Sequence, residues 1–331
     1  METLRDVIDS EGLRAAVNPK RFNVAGIILT YQCTAACRHC LFACSPARPP
    51  VVMAAEDCVE ALRAYSRLPR VVHIAGGECF LFYERMLEIC RAARREGVAP
   101  HFVETNASWC ASDEITERRL SALRDAGVLG VLISADPYHQ EFIPAERAQR
   151  CARIAARVFG EQNVLGYEAC VRRSGGFVGL TRDEQALRDH VRKHPPEWMA
   201  GSAYRHLAKY LDCQPLEAFA AVRCERLFDL ERVWEFHFDP YGNLQTNCGV
   251  VLGNTRSARP LDLLDQERVW ANPIVKVLSR TGPVGLLRLA AERGLAPRDG
   301  YVHKCEVCFH ARSFLRPHFR HILCPDEVYT P

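Results

Sequence analysis

Cys33, Cys37 and Cys40 are separated by three and then two residues, directly after the apolar run Val24 to Thr30. Three thiolates at that spacing can converge from one loop on a cubane iron–sulfur cluster. One iron is then left without a protein ligand, and an open iron can bind and activate a small molecule, which a fourth thiolate would prevent. A second set lies far along the chain. Cys305 and Cys308 form a paired-ligand spacing, with Cys224 and Cys248 upstream and Cys324 as a competitor for Cys224. Four thiolates suit a closed iron–sulfur cluster or a structural zinc ion equally, and spacing does not separate the two.

Cysteine is the outlier of the composition, sixteen in 331 residues. The start of the chain shows no signal-peptide apolar stretch, and no apolar run approaches membrane length. Without export, many cysteines mean metal ligation or buried thiols rather than disulfides, so a reducing cytoplasm is expected. Cys58, Cys90, Cys151 and Cys170 fall in expected helices or strands and read as core, and Cys44, one helical turn after Cys40, reads as packing. Net charge is +3 with a pI near 8.1 and no standout Lys/Arg run, so neither nucleic acid nor membrane is an expected partner. Arg312, Arg316, His318, Arg320 and His321 are spaced roughly along a helix and read as a solvated face, or as a docking face for an anionic substrate or partner.

Elements must position these thiols. Residues 1–21 form a short helical extension, helical from Leu4 to Val17 and stopped at Asn18-Pro19. From Phe22 apolar runs alternate with amphipathic segments, the pattern of parallel strands with crossover helices. Strands are expected at 24–30, 71–75, 101–105, 128–134, 163–170 and 196–200, and helices at 54–67, 82–96, 113–126, 140–159 and 180–193. Six such units are too few for a closed eight-unit barrel, and the sequence does not separate a partial barrel from a doubly wound sheet. The rhythm ends near residue 212, giving domains 22–212 and 213–331. The second opens a hairpin, Glu235–Phe238 and Leu244–Asn247, across a turn with Pro240 and Gly242.

The Cys33, Cys37, Cys40 spacing after a strand, with His39 before the last thiol, resembles the radical S-adenosylmethionine (radical SAM) superfamily. The resemblance implies a partial (β/α)6 TIM-like barrel, with the loops after the strands forming the active face. It implies a [4Fe-4S] cluster that binds S-adenosylmethionine, reductive cleavage to a 5′-deoxyadenosyl radical, and an electron donor such as flavodoxin or ferredoxin. Gly76-Gly77-Glu78 matches the family motif that binds the methionine amino group, with Cys79 where Pro is usual. Thr105 and Asn106 stand where relatives contact the ribose or carboxylate. Ser134 and Asp136 resemble a ribose-binding Ser-x-Asp. Arg172 is placed to pair with the methionine carboxylate, and Gly201 to Arg205 is a weak match to the adenine segment.

The C-terminal α+β region resembles the SPASM or twitch domain, which holds auxiliary clusters. Gly242 lies one residue further from Cys248 than usual, and the long Cys tail needed for two auxiliary clusters is absent. That implies one second [4Fe-4S] cluster on Cys224, Cys248, Cys305 and Cys308. Oxidation, crosslinking or epimerisation of a peptide or natural-product substrate follows as the expected reaction class. Tyr138 and His139 are candidates for binding substrate or carrying protons. Cys79, Cys110 and Cys213 are candidates for donating a hydrogen atom to a substrate radical. The competing reading is a zinc-stabilised binding module without radical chemistry.

Overall fold

A computed structural model describes residues 23–168 and 182–329. The expected helix from Leu4 to Val17, Cys170 and Arg172 lie outside these residues. The described residues divide into two compact units, one of 23–37, 44–168, 182–183 and 237–240, the other of 38–43, 184–236 and 241–329.

In the first unit β1 (Val24–Ile28), β2 (Val71–Ala75), β3 (Phe102–Thr105), β4 (Gly130–Ile133) and β5 (Val164–Leu165) pair in parallel. Every residue of β1 and β2 is buried, as a parallel sheet covered on both faces requires. The crossovers carry α1 (Ala55–Tyr65), α2 (Tyr83–Arg95), α3 (Asp113–Asp125) and α4 (Ala145–Phe159). Val24, Val71 and Phe102 pack together, with Leu129, Leu132 and Leu165 against them.

Strand order decides what the sequence left open. The neighbours run β5-β4-β3-β2-β1, strictly in chain order. Each right-handed crossover therefore steps the same way and lays its helix on the same face. A doubly wound sheet reverses direction midway. The unit has the mixed α/β architecture of a partial TIM-like barrel.

Two expected elements differ. The helix anticipated over 140–159 is broken: Pro137–Gln140 makes one helical turn, and α4 starts only after Pro144. A proline disfavours helical backbone in the residue before it, so the two pieces cannot fuse. No strand occurs at 196–200 among the described residues. Pro196 has no N–H to give a ladder, and Met199 and Ala200 lead directly into a helix.

The second unit holds α5 (Glu184–Lys193) and α6 (Gly201–His206). Next come the first half of β6 (Glu235–Phe238), then β7 (Asn243–Thr246) and β8 (Val251–Asn254). The anticipated hairpin is present as β6 and β7, neighbours in the sheet order. Its turn has Gly242 at φ +78°, and Thr255 N–H donates to the Gly242 carbonyl at 2.8 Å. β8, antiparallel to β7, is an addition to the expected set. Helices α7 (Gln266–Ala271), α8 (Pro273–Arg280), α9 (Gly282–Ala291) and α10 (Lys304–Leu315) complete the unit. Residues 184–212 fall in this unit, whereas the sequence rhythm ends only near 212. Tyr210 explains the grouping, since its hydroxyl donates to Glu184 at 2.8 Å and its carbonyl accepts from Arg192 at 3.0 Å. No helix of the described residues is long and apolar enough to cross a membrane.

Candidate active site

The glycine motif is zipped to the chain that leads into Cys33. Gly77 N–H donates to the Thr30 carbonyl at 2.7 Å and Glu78 N–H to the Gln32 carbonyl at 3.0 Å. A Cβ on Gly77 would stand 2.0 Å from the Gln32 oxygen, so only glycine permits this approach. Tyr31 anchors the same stretch, its hydroxyl donating to the buried Asp239 at 2.9 Å. Cys33 and Cys37 are buried. The Cys33 sulfur faces two N–H groups, Ala35 N at 3.4 Å and Asn106 Nδ2 at 3.6 Å.

Glu78 is 1% exposed, and its carboxylate accepts from Phe80 N at 3.2 Å, Thr105 Oγ1 at 2.9 Å and Asn106 N at 2.8 Å. Burial raises its pKa to about 7 even though those hydrogen bonds pull the other way. The side chain is enclosed by protein donors and braces the loop after β2 against the end of β3. Asn106 continues that brace. Besides Cys33, its Nδ2 donates to Thr34 Oγ1 at 3.0 Å, and its Oδ1 accepts from Ser108 N at 2.9 Å. Thr105 Oγ1 also accepts from the Trp109 indole at 2.9 Å.

Ser134 follows β4, its N–H on the Thr105 carbonyl at 2.9 Å. Asp136 caps the turn Pro137–Gln140, accepting from Tyr138 N at 3.0 Å and His139 N at 3.2 Å, and its other oxygen lies 2.7 Å from His139 Nδ1. That pair fixes the imidazole, while Tyr138 is buried. Cys79 and Cys110 are corrected from candidate hydrogen-atom donors to core thiols. Both are fully buried, Cys79 donating to the Glu104 carbonyl at 3.0 Å and Cys110 paired with Cys151. Cys44, Cys58, Cys90 and Cys151 are buried as expected. Cys213 is exposed in the second unit. In that unit the Cys40 carbonyl accepts from Ser202 N at 2.9 Å, so the 201–205 segment meets the end of the cysteine loop.

The second unit also gathers the distal thiols. Cys224, Cys248, Cys305 and Cys308 lie within electrostatic reach of one another. Burial first, then the neighbouring thiols, pushes Cys305 up to about 12 and Cys224 higher still. Such thiols ionise only when positive charge arrives, which is what metal binding supplies. His303 caps α10, its Nδ1 accepting from Cys305 N at 3.1 Å. Burial, and then Lys304, lowers its pKa to about 4, so it stays a neutral acceptor at physiological pH. The Cys324 sulfur lies 3.7 Å from Asn243 Oδ1. The anticipated basic face holds only in part, with His318, Arg320 and His321 exposed. α10 ends at Leu315, Arg312 is 1% exposed, and Arg316 is engaged by the Leu323 carbonyl and Asp326.

The family model of the radical SAM superfamily matches residues 27–165. This stretch is a radical SAM domain. It covers the cysteine loop, the glycine motif and strands β2 to β5. Solved structures similar to the chain include BtrN in complex with AdoMet and 2-DOIA, at 14% identity and TM-score 0.43, over 79% of this chain and 88% of that one. Native anSMEcpe with bound AdoMet is similar at 12% identity and TM-score 0.42, over 90% and 98%. Streptococcus suis SuiB bound to S-adenosylmethionine is similar at 12% identity and TM-score 0.36, over 81% and 75%. No curated protein matches the chain.

The residues present fit the groups a radical SAM domain uses. At the first site, the buried Cys33 sulfur faces two N–H groups, which suit a metal-bound thiolate. At the distal site, the buried Arg312 has an Nε–H without an acceptor among the described residues, beside thiols that become anionic on metal binding. Sequence reasoning misread Arg312 as solvated and passed over Thr34, Ser108 and His303. The signal for Arg312 was present, one helical turn after Cys308. Thr34 and Ser108 are seventy-four residues apart, and only folding pairs them.

Proposed function

We propose that this radical SAM protein oxidises, crosslinks or epimerises a peptide or small natural-product substrate, with a second iron–sulfur cluster in its C-terminal unit. When bound, the first cluster with S-adenosylmethionine supplies a hydrogen-abstracting 5′-deoxyadenosyl radical, and the second supplies a one-electron acceptor. Cys33, Cys37 and Cys40 hold the first. The backbone of Gly76 and Gly77 contributes to the cofactor's amino-group pocket, and Asn106, Ser134 and Asp136 serve its polar end. Asp136 holds the His139 imidazole by its Nδ1, which orients the ring for contact with substrate or for proton transfer. Cys224, Cys248, Cys305 and Cys308 hold the second cluster. A small electron carrier such as flavodoxin or ferredoxin reduces the first.

The observation that carries the two-cluster reading is the gathering of those four thiols, with Cys248, Cys305 and Cys308 within reach of a buried guanidinium. The test is metal and sulfide analysis of anaerobically purified protein, where about eight iron atoms are expected. Dithionite and S-adenosylmethionine then release 5′-deoxyadenosine. Cys33→Ala, Cys37→Ala and Cys40→Ala each abolish that release. Cys305→Ala with Cys308→Ala removes about half the iron and spares it. Stoichiometric zinc in place of the distal iron overturns the two-cluster reading.

A further inference from the structure

Arg312 is buried, and no carboxylate among the described residues pairs with it. Cys305, Cys308 and Arg312 follow one another on α10 at spacings of three and four, which places them on one helical face. The guanidinium hydrogen-bonds the Cys308 sulfur, and its Nη1 donates to the Tyr329 hydroxyl at 2.9 Å. Its Nη1 also lies 3.6 Å from where a Cβ on Gly249 would be, immediately after Cys248. Phe309 and Tyr329, stacked at 5.5 Å, present rings at 5.4 Å and 5.7 Å from its central carbon. The Nε–H has no acceptor among the described residues.

Phenol and ring faces compensate a buried cation only weakly, and such a charge is costly unless an anion is near. Four neutral thiols would not offset it. Four thiolates around a cluster core would, since such a centre carries net negative charge.

We propose that Arg312 is the charge-compensating positioning residue of the distal four-cysteine centre and holds its reduction potential up. The inference rests on reading that centre as iron–sulfur. Adding an electron to an already anionic centre is opposed by its own charge, and a fixed buried cation reduces that opposition. A centre without it accepts an electron less readily.

The experiment is an EPR-monitored redox titration in a Cys33→Ala, Cys37→Ala, Cys40→Ala background, so that only the distal centre contributes. Arg312→Gln is expected to lower the midpoint by at least a tenfold change in equilibrium constant, about 59 mV for one electron. Arg312→Lys, which keeps the charge, restores part of the difference. Loss of iron from Arg312→Gln but not from Arg312→Lys equally supports a charge requirement. An unmoved midpoint in iron-loaded Arg312→Gln overturns the inference. So does loss of iron from both variants, which would make the guanidinium's packing, not its charge, the requirement. Zinc instead of iron in the parent background overturns the two-cluster reading itself, a result distinct from iron with an unmoved potential.

Discussion

Glu78 shows how strongly its surroundings can shift the titration of a motif residue. Its carboxylate is enclosed by Phe80, Thr105 and Asn106, and burial raises its pKa from about 4.5 to about 7. A carboxyl with a raised folded-state pKa stays protonated while the unfolded chain ionises. Folding then retains a proton, and stability falls as pH rises from about 4.5 to 7, then levels. Glu78→Gln has no such titration. Between pH 4.5 and 8 the wild type should therefore lose roughly 3 kcal/mol relative to Glu78→Gln. Urea midpoints of both proteins across that range check this, and parallel curves would refute it. The Gly76-Gly77-Glu78 tripeptide was legible in the sequence. Its enclosure was not, because the three donors come from the next turn of chain and from the end of a strand more than twenty residues on.

The element that carries the distal thiol pair is α10. Its cap is His303, whose ring nitrogen receives the Cys305 amide and so fixes the first cysteine of the pair. Losing a side-chain cap costs about 1 kcal/mol. His303→Ala should lower stability by that order and reduce distal iron, without changing 5′-deoxyadenosine release from the first cluster. Iron analysis beside the cleavage assay measures both, and full distal iron in His303→Ala would argue against the cap's part. The Cys305, Cys308 and Arg312 spacing could be read before folding, as could the strands and helices up to α4. The absent strand at 196–200 marks the limit of that reading. Its apolar residues suggested a sixth unit, and Pro196 denied it a ladder.

At the scale of the molecule, the described residues make two compact units. Metal affinity at a site formed only on folding is folding free energy. Cys305→Ala with Cys308→Ala should therefore separate a new, earlier calorimetric transition for the second unit, while the first unit's transition and about four iron atoms remain. A uniform downward shift of one endotherm would show that the units unfold as one.

The sequence by itself determined the ligand types and their local order: three thiols in one loop, a glycine motif one strand later, and a distal pair on a helix. Those are local facts, set by spacing and by the backbone freedom of glycine. Only the tertiary structure decided the sheet's direction of winding, the gathering of Cys224 and Cys248 with the Cys305–Cys308 pair, the enclosure of Glu78 and the burial of Arg312. Each of these depends on groups brought together from distant parts of the chain. Spacing along a chain carries no record of such contacts until the hydrophobic surfaces have packed.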